Sequence, residues 1–435
     1  MELTYIGAVW LVILLTGVLF DRRFYFIAML VAAGFYASAF VNFGEKGVSV
    51  FVVSQIVFIA RFFNVIMVGI GLIPAWMNYA KFLLVYCFLS IVIAPLFFSD
   101  LYVFPPDQGM DIWLISTGMP LDGGWFGIYQ AIYLMLNFVT VYICFVARKE
   151  LISVSNTSIN LLVFFIVLIG WWELSGALAG VWYPRDFFVN NSGFALLAGQ
   201  ELDFGFVRLS GAFPEPSYFG AVISGVFWYL FSKKNLGKLL SVICVAPLII
   251  YSLSGSAVVS FITGALIWLY LSKKHHAVVY SLLLIILIIP VYGVLVSGDF
   301  GYLFDKYIFN KLDSTSTAIR VGVNNRSWEL LFDTYGFGVG FGNHRSSSAL
   351  LTILATIGFY GLFFYMAFIF DLIVKPLLKC RVSSTNLVHA PIFAFFGSIF
   401  GSMLISIPDV NFYIFWALVF MVVVLSCLKD VKGSN

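Results

Sequence analysis

Thirteen long apolar runs limit what this chain can become. They lie at 4–20, 24–41, 48–73, 81–98, 128–147, 160–182, 217–232, 239–254, 256–271, 277–297, 348–374, 388–406 and 410–428. A helix of about 20 apolar residues covers the roughly 30 Å hydrocarbon core of a bilayer. The expected fold is therefore all-α: a polytopic integral membrane protein of about thirteen transmembrane helices, with twelve to fourteen as the bounds, forming one domain over residues 1–435. Only 10% of the residues are charged, against about 25% in a soluble domain, which excludes a soluble globular protein. The run 48–73 contains Arg61 and Asn64 and reads either as one span or as two half-spans. The first 20 residues carry no basic n-region and no small-x-small cleavage site, so they read as a first span and not as a removed leader.

Lys and Arg are retained on the cytoplasmic side of a membrane. Fifteen of the 24 fall on one set of alternating connections and eight on the other, which puts the N-terminus outside and the C-terminus inside. Three long segments, 99–127, 183–216 and 298–347, then face outward, and function is expected there. A net charge of +3 leaves no basic stripe, so no nucleic-acid partner is expected. Cys87, Cys144, Cys244 and Cys427 fall in spans and Cys380 in a cytoplasmic connection, leaving no disulfide for the outer loops. The sequence holds no Cys/His cluster with metal spacing, no Walker-type loop and no G-x-S-x-G elbow, so neither metal nor cofactor is expected. The glycine-rich run at 336–342 reads as a flexible hinge before the eleventh span.

Within the outer segments a few residues carry chemistry. Pro214 and Pro216 flank Glu215 and hold it in an extended turn before the seventh span. There it either caps the next helix or serves as a proton acceptor, with Arg208 as a phosphate ligand. The third loop contains two short amphipathic stretches, 303–312 and 317–333. At about 100° per residue Arg320, Asn324 and Ser327 share a face of the second stretch, while Arg326 lies nearer Glu329 and Asp333. Arg320 thus has no acid on its own face and reads as a ligand-binding or solvated charge, whereas Arg326 reads as locally neutralised. Next come His344, able to titrate near neutrality, and Arg345 with Ser346, Ser347 and Ser348, a basic and hydroxyl-rich anion site at a helix start. Trp182, Tyr183 and Tyr218 suit either sugar stacking or anchoring at the membrane interface. Arg61 and Glu173 fall inside spans, where they either pair with each other or bind an anionic headgroup.

These residues sit in strings that resemble bacterial O-antigen polymerases. The strings are Arg-x-x-Gly-x-Phe-x-Glu-Pro from Arg208, Ser254-Gly-Ser, Ser-Thr-Ser-Thr-x-x-Arg ending at Arg320, Gly-Val-Gly-Phe-Gly-x-x-Arg-x-Ser-Ser through Arg345, and Ser-Ile-Pro-Asp-Val from Ser406. The resemblance covers residues 200–420. It implies a metal-independent, inverting membrane glycosyltransferase that uses undecaprenyl-diphosphate oligosaccharide as donor and acceptor, with Arg208, Arg320 and Glu215 in the catalytic role and Arg345, Arg326, His344, Tyr218 and Ser347 binding substrate. A bacterial inner-membrane setting, a chain-length regulator, a flippase and membrane lipids as partners come with it. The related O-antigen ligases carry a histidine eleven residues before a glycine. Here Ser347 stands at that distance from Gly358, which favours a polymerase over a ligase. A transporter of the same lipid-linked sugars is the other class, and the lack of an internal repeat counts against it. The orientation has a direct consequence: a cysteine at Ser314 reacts with a membrane-impermeant thiol reagent in cells with a permeable outer layer, and one at Ser272 does not. Labelling in the opposite sense overturns the span map.

Overall fold

The structure, a computed structural model, describes residues 1–44, 46–69, 73–106, 118–193, 207–233, 235–272, 302, 306, 315–382 and 390–426. Helices dominate it. Five are long and apolar enough to cross a membrane: Ala75–Phe97, Trp125–Val146, Arg148–Ala179, Gly255–Ser272 and Ala349–Leu378. Shorter apolar helices include Tyr5–Leu19, Val50–Arg61, Pro216–Phe231, Ala390–Ile405 and Tyr413–Leu425. The expected span 277–297 and the amphipathic stretch 303–312 lie outside the described residues. Helix starts follow capping rules: Thr4, Ser49 and Ser348 each accept a backbone N–H, from Gly7 at 2.9 Å, Val52 at 3.2 Å and Leu351 at 3.3 Å. The Arg148–Ala179 helix stops where Gly180 adopts φ 68°.

Two expected spans are reshaped. In 24–41 the helix Arg23–Ala32 ends early, and Ala39–Phe43 becomes the central strand of a three-stranded antiparallel sheet between Glu2–Leu3 and Lys46–Ser49. The intervening turn is apolar because it is buried in protein, not because it faces lipid. Its backbone is satisfied by Ala37 N–H on Ala212 O at 2.9 Å and by Ala37 O accepting Asn191 N–H at 3.0 Å, while the Ser38 hydroxyl donates to Phe188 O at 2.6 Å. Hydropathy cannot separate that case from a span, since both avoid water and both need every polar group bonded. In 48–73 the interruption is real: Val50–Arg61 and Phe63–Gly69 are separate helices.

The bundle core is built from close helix contacts. Pro216–Phe231, Gly255–Ser272 and Ala390–Ile405 approach closely because Gly225 meets the ring of Phe395, Gly264 meets Trp228 and Gly401 meets Thr263, with no room for a Cβ at any of them. Serine hydroxyls cross between the helices, Ser260 to Ala221 O at 2.7 Å and Ser224 to Ala257 O at 3.0 Å, a small-residue and hydroxyl seam of the sort that holds membrane helices together. Tyr413–Leu425 is buried along its whole length.

The 336–342 segment is a packed ribbon and not the flexible hinge expected. Gly336, Gly338, Gly340 and Gly342 all have φ between 81° and 94°, a region that L side chains avoid. Val339 and Gly340 donate to Ala355 O and Thr356 O at 2.9 and 2.8 Å, so the ribbon lies against the first half of the Ala349–Ile369 helix, which itself breaks at Gly358 (φ 61°). A Cβ at Gly338 overlaps the Thr356 carbonyl. Gly338→Ala therefore lowers stability by about 2–4 kcal/mol in thermal unfolding of the purified protein. Gly322→Ala, at an open helical position, is neutral or stabilising by up to about 1 kcal/mol. Equal behaviour of the two variants contradicts the ribbon.

Candidate functional site

The site begins with a buried acid. Glu173, 2% exposed on the Arg148–Ala179 helix, accepts the backbone N–H groups of Ser210 at 2.8 Å and Gly211 at 2.6 Å, the Ser210 hydroxyl at 3.3 Å and the Arg185 guanidinium at 3.2 Å. The expected pairing of Glu173 with Arg61 does not occur. Arg61 is exposed and lies 5.4 Å over the Tyr25 ring. The reason is distance along the bundle. Arg22, stacked on Phe62 beside Arg61, pairs with Glu150, and Glu150 precedes Glu173 by 23 residues on one helix, about 34 Å.

Glu173 thus fixes the turn that leads to Glu215. Glu215 is extended, φ −144° and ψ 149°, and Pro216 begins the following helix, as the flanking prolines require. It occupies the N-cap position, but its side chain makes no cap hydrogen bond. Its Oε2 accepts the Ser217 hydroxyl at 2.9 Å, and the carboxylate lines a cleft.

The opposite wall is the 342–348 segment. His344 is fully buried. Phe104 N–H donates to its Nδ1 at 3.2 Å, and its Nε2 lies 2.9 Å from the Ser327 hydroxyl, which itself donates to Val323 O at 2.8 Å. With Nδ1 accepting and the Ser327 proton already directed to a carbonyl, Nε2 must carry the hydrogen. The ring is neutral and doubly engaged. Burial, with the nearby Arg326 charge, pushes its pKa down to about 3, so the expectation that His344 titrates near neutrality is corrected: the sequence shows a histidine in a loop but not the enclosure around it. Ser347 is likewise structural, donating to Asn324 Oδ1 at 2.7 Å beside Ser346 at 3.0 Å. The helix Thr315–Asp333 docks on this wall through Asn324 and Ser327, the two neighbours of Arg320 on the anticipated face.

Between the walls lies a cleft of about 770 Å³ including its open mouth, lined by Tyr36, Gln130, Glu215, Tyr218, Arg345 and Asp409 among others. Arg345 points a guanidinium nitrogen at the Tyr218 hydroxyl, 3.5 Å away. Burial acts to lower its pKa, but Tyr218, Asp409, Glu215 and Tyr36 outweigh that and raise it above the ordinary value, so it stays charged. The Tyr36 hydroxyl donates to Asp409 Oδ2. Tyr36 is held by rings on several sides, Tyr413 at 4.6 Å, Phe412 at 5.3 Å and Tyr218 at 5.5 Å between centroids.

Of the anticipated site residues, the structure brings together Glu215, Tyr218, His344 and Arg345 around the cleft. Arg208 stands apart from the cleft lining, donating to Leu253 O at 2.9 Å and Ser252 O at 3.4 Å past the end of a short helix. Arg326 is locally neutralised as its spacing implied, bonded to Glu329 at 2.8 Å and to Tyr102 O at 3.0 Å. Arg320 is half-buried one turn before Asn324 and makes no hydrogen bond or ion pair with the described residues. Tyr36 and Gln130 were not singled out from sequence, and Asp409 stood only within the string from Ser406 that carries the resemblance, with no role assigned to it. Asp409 had a signal, an acid after a proline between two spans in a chain poor in charge. Tyr36 had none, being hidden in a run read as a span. No protein-family profile matches this chain, and no curated protein matches it at a significant level. The apolar helices mark it as a helical membrane protein.

The His344 geometry has a pH consequence. Its folded pKa of about 3 lies below the ordinary 6.5, so between those values the unfolded chain binds the extra proton. The contribution is complete above pH 6.5 and is lost as pH falls toward 3, by up to about 1.4 kcal/mol per unit. Thermal unfolding between pH 7.5 and 5 should show a shallower acid loss in His344→Gln than in the parent protein. Identical slopes contradict a buried neutral imidazole.

Proposed function

We propose that the protein polymerises lipid-linked oligosaccharides, joining undecaprenyl-diphosphate repeat units at the periplasmic face of the bacterial inner membrane as a multi-pass glycosyltransferase of about thirteen spans. The observation that carries this reading is the cleft itself. Two segments far apart in sequence and expected on one side of the membrane face each other across it, presenting a carboxylate, Glu215, opposite a half-buried guanidinium, Arg345. Arginine suits the diphosphate because its planar fork binds phosphate oxygens in pairs and stays charged.

In the reaction a hydroxyl of the acceptor sugar attacks the anomeric carbon of the donor. A carbon–oxygen bond forms there as the bond to the diphosphate oxygen breaks, inverting the centre. Glu215 takes the hydroxyl proton, and Arg345 stabilises the charge that builds on the departing diphosphate. Arg320 is one turn before Asn324 on the helix that docks against the Arg345 segment, and its part as a second guanidinium rests on the sequence resemblance, since it is not among the residues lining the cleft. Arg208 braces the carbonyls of Ser252 and Leu253 and acts on the shape of the Glu215 segment rather than on phosphate. His344 has both ring nitrogens engaged, which counts against the ligase reading, where a histidine would have to reach substrate. Tyr218 offers a ring face and a hydroxyl to a sugar.

The test is repeat-unit transfer by purified variants in detergent with defined lipid-linked donors, read as a ladder on a gel, with donor binding measured separately. Glu215→Gln keeps donor binding and loses turnover by about 100-fold or more, the usual weight of a general base. Arg345→Lys keeps the charge, loses the fork and remains strongly impaired. Full turnover in Glu215→Gln removes it as the base and moves that role to Asp409. A parent protein that forms no ladder refutes the reading.

A further inference from the structure

A second cavity lies beside the cleft. It is a groove of about 1030 Å³ including its open side, formed by the N-terminal helix Tyr5–Thr16, the helix Arg23–Ala32 and the span Arg148–Ala179. Every lining residue is apolar. The only hydrogen-bonding side-chain atoms among them, the indole nitrogens of Trp10 and Trp172, are already used, on Ser54 Oγ at 2.6 Å and Trp182 O at 2.7 Å. Such a space has nothing to offer water. It is open along one side, where Val9, Leu161 and Leu168 are 49%, 37% and 45% exposed. From Leu161 to Trp172 it follows eleven residues of the span, about 17 Å.

Its two ends differ. One end, toward Phe24 and Leu161, is wholly hydrocarbon-like. The other closes on Phe35 and Phe188. Phe35 is the immediate neighbour of Tyr36 in the cleft, so a single turn of chain separates the apolar groove from the polar site. Phe188 ends the short helix Arg185–Phe188. Arg185 on that helix spends its charge on Glu173, so the fixed positive charge next to the groove is that of Arg345 in the cleft. The occupant that fits an apolar trough ending at a cationic, sugar-competent cleft is one long hydrocarbon chain with an anionic head.

We propose that this groove binds the polyprenyl tail of the lipid-linked substrate, with its diphosphate carried past the Phe35–Tyr36 turn toward Arg345. This rests on the reading of the cleft as a sugar-transfer site, but its test does not require transfer. The full-length protein in nanodiscs is irradiated with a polyprenyl diphosphate carrying a diazirine in its tail, and cross-links are mapped by mass spectrometry. Labelling is expected on residues 24–35 and 161–172, competed by unlabelled polyprenyl diphosphate and not by excess phosphatidylglycerol. Leu168→Trp, and independently Val9→Trp, fill the groove from its open side without disturbing the buried core. Each is expected to reduce labelling about tenfold, equivalent to roughly 1.4 kcal/mol, and in transfer assays to raise KM for long-chain donors but not for a ten-carbon analogue. Labelling spread over the bundle, equal competition by phosphatidylglycerol, or undiminished labelling in both variants overturns the groove assignment. Groove labelling in a protein that forms no ladder upholds the tail site and refutes only the polymerase reading.

Discussion

The carboxylate of Glu173 is the interaction on which the site depends. It is buried among helices that offer it no water, and a group in that position persists only if its lone pairs are filled. Two consecutive backbone N–H groups, a hydroxyl and a guanidinium fill them. In return the Ser210–Gly211 turn, non-helical backbone inside a helical bundle, has its donors satisfied as such backbone requires. Ala212 O then accepts Ala37 N–H, and Tyr183 donates its hydroxyl to Gly211 O at 3.0 Å. The path to Glu215 is therefore tied at successive residues to three other parts of the chain, so the cleft wall is set by a span and not by the loop alone.

The opposite wall obeys the same rule with different groups. His344 satisfies Phe104, Phe104 O accepts Arg345 N–H at 2.9 Å, and Asn324 gathers the hydroxyls of Ser346 and Ser347. The glycine ribbon uses positive φ at alternate residues to bring its backbone within hydrogen-bonding distance of the broken helix beneath it. Arg345 is the residue left facing the cleft once these neighbours are spent. A neutral His344 matters for that arrangement, because a third cation beside Arg326 and Arg345 would repel both.

Below the cleft the bundle carries a line of buried amides. Asn411 donates to Gln130 Oε1 at 2.8 Å, Asn137 to Asn411 Oδ1 at 3.2 Å, and Gln55 to Asn137 Oδ1 and Thr140 Oγ1, both at 3.0 Å. The line ties the segment after Asp409 to two helices, Trp125–Val146 and Val50–Arg61. Polar links of this sort give an otherwise greasy interface a definite register, and here the register is that of Asp409 and Tyr36 at the cleft floor.

Hydropathy alone determined that this is a helical membrane protein, because the cost of exposing or unbonding the backbone leaves long apolar runs little choice. Local chemistry was equally legible where it depends on near neighbours: the extended Glu215 between two prolines, the break near Arg61 as one of two readings, and the neutralisation of Arg326 by Glu329. What sequence could not supply was anything requiring the distance between remote segments. That Glu173 meets Arg185 and not Arg61, that His344 is enclosed rather than exposed, that Arg208 faces carbonyls, and that residues 33–43 form a buried turn and strand all depend on which surfaces touch. Apolar residues buried in protein and apolar residues facing lipid carry the same hydropathy, and a charge in a span does not announce its depth or partner. Only the tertiary structure decides those, since each is settled by which surfaces the folded bundle brings together, whether the partners are 12 residues apart, as Glu173 and Arg185 are, or 240, as Phe104 and His344 are.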